Sequence, residues 1–335
     1  MAPRGGDVSA ASNGAPAGQV EIRASGPLRS ADAADVLDLV QEAADTDGVG
    51  PLSEHAVLSV RYGPDERARH VRLWDSGLLA GYGHLDPGDS EQGPAAELVI
   101  RPSARRRGLG LALGRRLIAE AGGRQLRVWA HGDLPAATAL AAAAGFHRSR
   151  ALWQMRRPLA SPLAEPQIPA GVTVRTFRIG QDEDAWVSVN HRAFARHPEQ
   201  GSWTRADLQV REREPWFNPA GFFLAERDSG LAGFHWTKVH GPHAESPATG
   251  EVYVVGVDPA EQGTGLGRAL TLIGLQYLRS QGLQEVMLYV DESNAAAIRL
   301  YESLGFAHAG TDVMFSGGGA AGRSRLVRQL TDHRA

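Results

Sequence analysis

Three glycines, Gly263, Gly265 and Gly267, fall within the six-residue stretch QGTGLG. At the start of a helix, such a turn aims several backbone N–H groups one way, and the helix dipole helps them hold an anion. Side chains at these positions would obstruct the approach. No Gly-Lys-Ser/Thr follows and the glycines of this turn are not spaced Gly-x-Gly-x-x-Gly, so the turn is neither a nucleotide P-loop nor a dinucleotide fingerprint. The same glycines serve a tight strand-to-helix turn equally well, and the pattern alone leaves phosphate binding and packing both open. The chain has no cysteine, which removes a thiolate nucleophile, disulfides and cysteine-ligated metal together. Its twelve histidines contain no His-Glu-x-x-His pair, and His240 and His243 in HGPH read as a surface loop rather than a metal pair.

The elements around the glycines are predicted to position them. The apolar run EVYVVGVDP reads as a strand running into the turn, and Leu266 to Ser280 as the helix leaving it. EVMLYV (285–290) is the next strand, and NAAAIRLYESL a last helix stopped by Gly305. Upstream, GVTVRTF, GFFLAERD and GLAGFHWTKVH read as strands and DEDAWVSVNHRAF as a helix. The first half repeats the plan. RPSARRRGLGLALGRRLIAEAG (101–122) lines up with DPAEQGTGLGRALTLIGLQYLR (258–279), and LAAAAGF (140–146) with LYESLGF (300–306). Before them stand the helix ADAADVLDLVQEAA and strands near 68–74, 78–84 and 96–100.

Between the halves, RPLASPLAEPQIPAG (157–171) carries four prolines and reads as a linker. The expected organisation is a disordered tail (1–19), a first domain (20–156), the linker (157–171), a second domain (172–316) and a flexible tail (317–335). The fold class is α/β: two tandem copies of a mixed, mostly antiparallel sheet flanked by helices. The chain has 335 residues, 42% of them hydrophobic, and a net charge of -3, so neither nucleic acid nor an anionic membrane is the expected partner. No apolar run approaches the ~20 residues of a spanning helix, and no leader is evident. A cytoplasmic monomer is expected.

Gln/Arg-x-x-Gly-x-Gly after a strand ending in Val/Ile-x-Pro, found at 262–267 and at 105–110, resembles the acetyl-CoA loop of the GCN5-related N-acetyltransferases. The resemblance covers most of both halves, roughly residues 30–155 and 172–315. It implies acetyl-CoA as co-substrate and no metal. Backbone amides at Val255, Gly256 and Val257 would hold the pantetheine arm. Gln262, Gly263, Thr264, Gly265, Leu266, Gly267 and Arg268 would hold the pyrophosphate, and Asn294, Ala295, Ala296, Ala297, Ile298 and Arg299 would flank the arm. In the first half the matching positions are Leu98, Val99, Ile100, Arg106, Arg107, Gly108, Leu109, Gly110 and Leu111. A reading of Arg105–Arg107 as a nucleic-acid patch is disfavoured by the acidic balance and the absence of nearby aromatics. GVGPLSEHA, HPEQGSW, GFHWTKVH and SNAAAIRLYESLGF narrow the resemblance to tandem members that acetylate the cysteinyl amine of desacetylmycothiol, a cysteinyl-glucosaminyl-inositol.

Amine acetylation needs a base for the ammonium and an acid for the departing thiolate. Glu251 opens the strand that leads to the loop, and Tyr301 lies on the last helix on the same side as Asn294. By themselves, Glu251 reads as readily as a strand-edge carboxylate and Tyr301 as a packing residue; the resemblance assigns them as base and acid. The repeat alignment sets Pro94 opposite Glu251, Ala141 opposite Tyr301 and Leu134 opposite Asn294, so the first half is expected to bind without catalysing. The resemblance further implies acceptor contacts from Glu54, Glu199, Lys238, Glu251 and Tyr289. Glu54 belongs to the first half and would bring that half beside the second half's site. Trp203, Trp216 and Trp236 read as packing residues. The rival readings are an acetyltransferase for another amine, such as an aminoglycoside or a protein N-terminus, and a non-enzymatic acyl-CoA sensor.

Overall fold

A computed structural model describes residues 19–63, 66–88, 93–195, 197–242 and 247–318, the side chains of Pro198 and Glu199 apart. Most of the two predicted tails and His243 lie outside it. The first half runs β1 (Val20–Ser25), α1 (Ser30–Asp47), α2 (Glu54–Tyr62), β2 (Arg69–Asp75), β3 (Leu78–Asp86), β4 (Ala95–Ile100), α3 (Leu109–Glu120), β5 (Leu126–Ala130), α4 (Pro135–Ala143) and β6 (His147–Pro158). The second runs β7 (Thr173–Thr176), α5 (Glu183–Ala193), α6 (Pro198–Gly201), α7 (Arg205–Glu212), β8 (Phe222–Arg227), β9 (Gly230–His240), β10 (Thr249–Val257), α8 (Leu266–Ser280), β11 (Glu285–Asp291), α9 (Ala295–Ser303) and β12 (Ala307–Gly317).

The strands form one twelve-stranded sheet in the order β1-β2-β3-β4-β5-β12-β6-β11-β10-β9-β8-β7. Each half thus lends its last strand to the other. β12 of the second half pairs with β5 of the first, and β6 of the first pairs with β11 of the second. The two lent strands pair with each other antiparallel, Ala307 facing Arg156 and Ser316 facing His147, which relates the halves by an approximate two-fold. Two repeats that each expose an unpaired edge remove both edges this way.

Helices cover both faces because their apolar residues recur at three- and four-residue spacing. Ala33, Val36, Leu39 and Ala43 bury one stripe of α1 over Tyr82 and Val99, with α2 beside it. Leu109, Leu113 and Leu117 of α3 bury the opposite face over Val71 and Leu73. In the second half, α5 and α7 cover Phe222, Phe234 and Trp236. α8 and α9 cover Val252, Val286 and Leu288 from the other side. Gly274 lets α8 lie close on the sheet: a Cβ there would sit 2.0 Å from the His235 ring, which hydrogen-bonds the Leu270 carbonyl at 2.8 Å. Among the described residues, no helix is long and apolar enough to cross a membrane.

Candidate active site

The parallel strands β10 and β11 pair only from Gly250 to Val252 and then part. β10 also carries a bulge: its register against β9 shifts between Val252 and Val254, leaving Tyr253 as the extra residue. A bulge bends and twists its strand, and here it sits where the strands separate. Beyond it, Val254 to Val257 pair with β9 alone, so the other edge of β10 faces the gap with no ladder partner among the described residues.

At the end of β10 the chain enters the glycine turn. Gly263 and Gly265 have φ of +80° and +89°, and a Cβ at either would meet nothing within 4 Å. The glycines there are demanded by backbone conformation, and the space above them is open. Gln262 to Gly265 are exposed, and α8 starts at Leu266 with no side-chain cap on its N–H groups. Arg268 donates to Ser303 Oγ at 2.7 Å, tying α8 to α9 beside the turn. Asn294 caps α9, accepting from the Ala297 N–H at 3.1 Å; Ala295, Ala296 and Arg299 are exposed there, while Ala297 and Ile298 turn inward.

The first half repeats the loop with different surroundings. Gly108 has φ +77°, and Arg106 occupies the place of Gly263 at φ +62°, a conformation costly for a residue with a Cβ. Arg105 forms a two-pronged pair with Asp47 at 2.6 and 2.7 Å, and Arg107 pairs with Asp75 at 2.6 Å. A Cβ on Gly110 would come within 3.2 Å of Leu140 from α4, whereas at Gly267 the nearest atom is on Val257 at 3.5 Å. Leu98 to Ile100 end β4, which leaves β5 after Ala96.

Glu251 is buried on the face of β10 that looks toward α5 and α7, and its Oε2 lies 2.7 Å from His240 Nε2. Lys238 is its cross-strand neighbour on β9. Lys238 donates to Glu54, the first residue of α2, and the Tyr253 hydroxyl donates to the other oxygen of the same carboxylate. Arg211 of α7 donates to the Tyr253 oxygen at 2.8 Å and stands 3.8 Å from Glu54. Burial works against the Glu54 charge, yet Lys238 and Arg211 hold its carboxyl below the usual range. The two cations rest on rings, Lys238 4.4 Å from the Trp216 centroid and Arg211 3.7 Å from that of Trp203.

Tyr289 lies on β11 two residues beyond Met287, the partner of Glu251, and so shares its face. It is 41% exposed and accepts from Gln154 at 3.0 Å; burial first, then the charges of Asp312 and Glu251, push its phenol up to about 12. Tyr301 comes from α9 on the opposite face of the sheet. Its ring packs edge-on to Phe306 at 5.8 Å, its hydroxyl has no hydrogen bond among the described residues, and burial pushes it up to about 12. Glu199 falls in α6, but its side chain lies outside the described ones.

A splayed strand pair and a glycine turn at the following helix occur in both halves, but the buried carboxylate beside the splay is Glu251 in the second and Glu97, two positions further along its strand, in the first. The model of the acetyltransferase (GNAT) family matches the chain twice, at residues 37–146 and 186–306. The chain belongs to the acetyltransferase (GNAT) family. It is 57% identical over 316 residues to a mycothiol acetyltransferase of Acidothermus cellulolyticus, covering 90% of this chain and 96% of that one. With the mycothiol acetyltransferase of Thermobispora bispora the identity is 59%, over 84% and 94% of the two chains. Among solved structures, a tandem GNAT protein from the clavulanic acid biosynthesis pathway aligns with a TM-score of 0.69 at 23% identity, over 90% and 99% of the chains, a likeness of fold.

In this GNAT chain the structure brings Glu54, Lys238 and Glu251 together and sets Tyr289 on their face. The repeat alignment needs one correction. The bulge at Tyr253 adds a residue to β10, so the ladder places Ala95, not Pro94, opposite Glu251: Ala95 pairs with Asp86 as Glu251 pairs with Lys238. The first half still has no carboxylate there. Another correction concerns His240, which ends β9 against Glu251 instead of lying in a surface loop. Period-two spacing from Lys238 could have found it. Trp236 packs in the core as expected, but Trp203 and Trp216 also carry the cations. Arg211 and Tyr253 were missed because neither stands in a pattern, and only the fold brings them to Glu54.

Proposed function

We propose that the chain transfers the acetyl group of acetyl-CoA to the cysteinyl amine of desacetylmycothiol, giving mycothiol and CoA, and that the second half (172–316) carries the reaction. The observation that carries this reading is the cluster in which Glu54 of the first half meets Lys238 and Tyr253 of the second, next to Glu251. A hydroxyl-rich acceptor with an ammonium group needs carboxylates and paired donors of this kind. That relatives at 57% and 59% identity are named mycothiol acetyltransferase supports desacetylmycothiol as that acceptor.

Acetyl-CoA fits the open turn. The unpaired edge of Val255 to Val257 suits the amides of the pantetheine arm, and the N–H groups from Gly263 to Arg268 suit the pyrophosphate. When bound, it supplies the activated acetyl group. Glu251 takes a proton from the acceptor ammonium, the freed amine attacks the thioester carbonyl as the C–S bond breaks, and His240 passes the proton from Glu251 toward solvent through their shared hydrogen bond. Tyr301 keeps its proton at neutral pH and donates it to the departing sulfur. The burial that raises the phenol also makes a thiolate formed beside it more basic. With no cysteine in the chain, an acetyl-thioester on the enzyme is excluded, which is consistent with direct transfer. The first half (20–156), joined by 157–171, keeps the loop but presents Ala95, Leu134 and Ala141 where the second has Glu251, Asn294 and Tyr301, and we assign it no catalysis.

Mass spectrometry of the product from acetyl-CoA and desacetylmycothiol tests the reading. One N-acetyl group on the cysteinyl amine is expected. Faster turnover of an aminoglycoside or a peptide N-terminus in a competing panel would overturn the acceptor assignment.

A further inference from the structure

We propose that Asp312, His131 and Glu97 are positioning residues that hold Glu54 in place for the acceptor. The inference rests on the reading of Glu54 as an acceptor contact.

Helix α2 begins with an incomplete cap. A capping box needs the N-cap side chain to accept from the third helical N–H and the third helical side chain to accept from the N-cap N–H. α7 has both: Thr204 Oγ1 accepts from the Asp207 N–H at 3.3 Å, and Asp207 accepts from the Thr204 N–H at 2.8 Å. In α2, Ser53 Oγ accepts from the Ala56 N–H at 3.3 Å, but an alanine has nothing to return. The missing carboxylate comes from the sheet. Glu97 of β4 is buried, and its Oε2 accepts from the Ser53 N–H at 2.6 Å. The next residue is Glu54.

Glu97 is itself held from across the molecule. His131 Nε2 lies 3.7 Å from Glu97 Oε2, and His131 Nδ1 lies 2.8 Å from Asp312 Oδ2. Asp312 Oδ1 accepts from the Gly132 N–H at 2.9 Å. Asp312 sits on β12, the strand that the second half lends to the first. The path therefore runs from the second half's last strand, through the first half, to the second half's acceptor cluster.

Burying three charged groups is costly, and apolar residues often replace such groups without loss of stability. The approximate two-fold shows that the repeat does not require this path. The β10 residue that pairs with Trp236, as Glu97 pairs with His84, is Val254, and the residue facing Asp312 on β6 is Leu152. The counterpart of His131 is Asp291, which faces Leu152 and pairs with Arg150 instead. Among the described residues, the path from a lent strand to a helix N-terminus runs in the first half, whose α2 carries Glu54 to Lys238.

Glu97→Gln, Asp312→Asn and Glu54→Gln in the full chain test this with steady-state kinetics on acetyl-CoA and desacetylmycothiol. Glu97→Gln is expected to raise KM for the acceptor about tenfold, the worth of one hydrogen bond to a charged group, with kcat within about twofold and KM for acetyl-CoA unchanged. In the Glu54→Gln background it should add nothing further, because both changes remove one contact. Multiplying effects, or a fall in kcat at constant acceptor KM, would overturn the inference. Hydrogen exchange at the amides from Ser53 to Val57 reads the path without any acceptor. It should quicken in Glu97→Gln and in the milder Asp312→Asn, and unchanged exchange in both would sink the proposal. If Glu54→Gln alone leaves acceptor KM unchanged while exchange quickens, the acceptor role fails and the positioning of α2 stands.

Discussion

Glu251 and His240 are joined side chain to side chain at 2.7 Å, the carboxylate buried and the imidazole 38% exposed. In the proposed mechanism, a base that must discharge its proton between turnovers would have here a partner that reaches water. Glu251→Gln keeps the shape and removes the base, so kcat should fall by roughly 10²–10⁴ while calorimetry still finds acetyl-CoA bound. His240→Asn should cost about tenfold in kcat, one hydrogen bond to a charged group. A Glu251→Gln enzyme with near-normal turnover would remove Glu251 from the chemistry.

Tyr301→Phe deletes a hydroxyl that has no hydrogen bond among the described residues and leaves the ring against Phe306. Thermal stability should stay within about 1 kcal/mol, the net worth of a hydrogen bond that is not there to lose. Turnover should drop about 10²-fold. An acetyl donor whose leaving thiol is more acidic should recover much of the loss, because it departs without protonation. Equal losses with both donors would argue against Tyr301 as the acid.

The two glycine turns should answer differently to the same change. Gly265→Ala forces a Cβ into φ +89°, a strain of about 1–2 kcal/mol, and KM for acetyl-CoA should rise accordingly. Gly108→Ala imposes the same strain at φ +77° in the first half and should leave both kinetic constants unaltered. Parallel losses in the two variants would give the first loop a part in turnover.

Stability should fall on the alkaline side through His131. Burial opposes its charge, but the hydrogen bond to Asp312 and the nearby carboxylate of Glu97 raise it to about 10. A group raised in the folded state contributes fully below its unfolded value of about 6.5, and the contribution is lost as pH rises through about 10. Tm measured from pH 6.5 to 10 should therefore decline, and His131→Gln should flatten that decline. On the acid side, Glu97 is lowered to about 2, so its contribution is full above its unfolded value of about 4.5 and is lost as pH falls from there through about 2.

Much of this molecule was written locally. The helix bounds 266–280 follow from apolar spacing, and the turn at Gly263 and Gly265 follows from a conformation that only glycine adopts cheaply. The repeat of both features announced the tandem fold, and the absence of cysteine bounded the chemistry before any coordinate. These depend on neighbours within a few residues, which is where sequence patterns are legible. Lys238 and Glu54 are 184 positions apart, His131 and Asp312 181, Ser53 and Glu97 44. The bulge at Tyr253 and the exchange of β6 with β12 likewise depend on which strand lies alongside. A charge leaves no periodic trace of its distant partner, so tertiary packing decided that Glu54 of one half pairs with Lys238 and Tyr253 of the other.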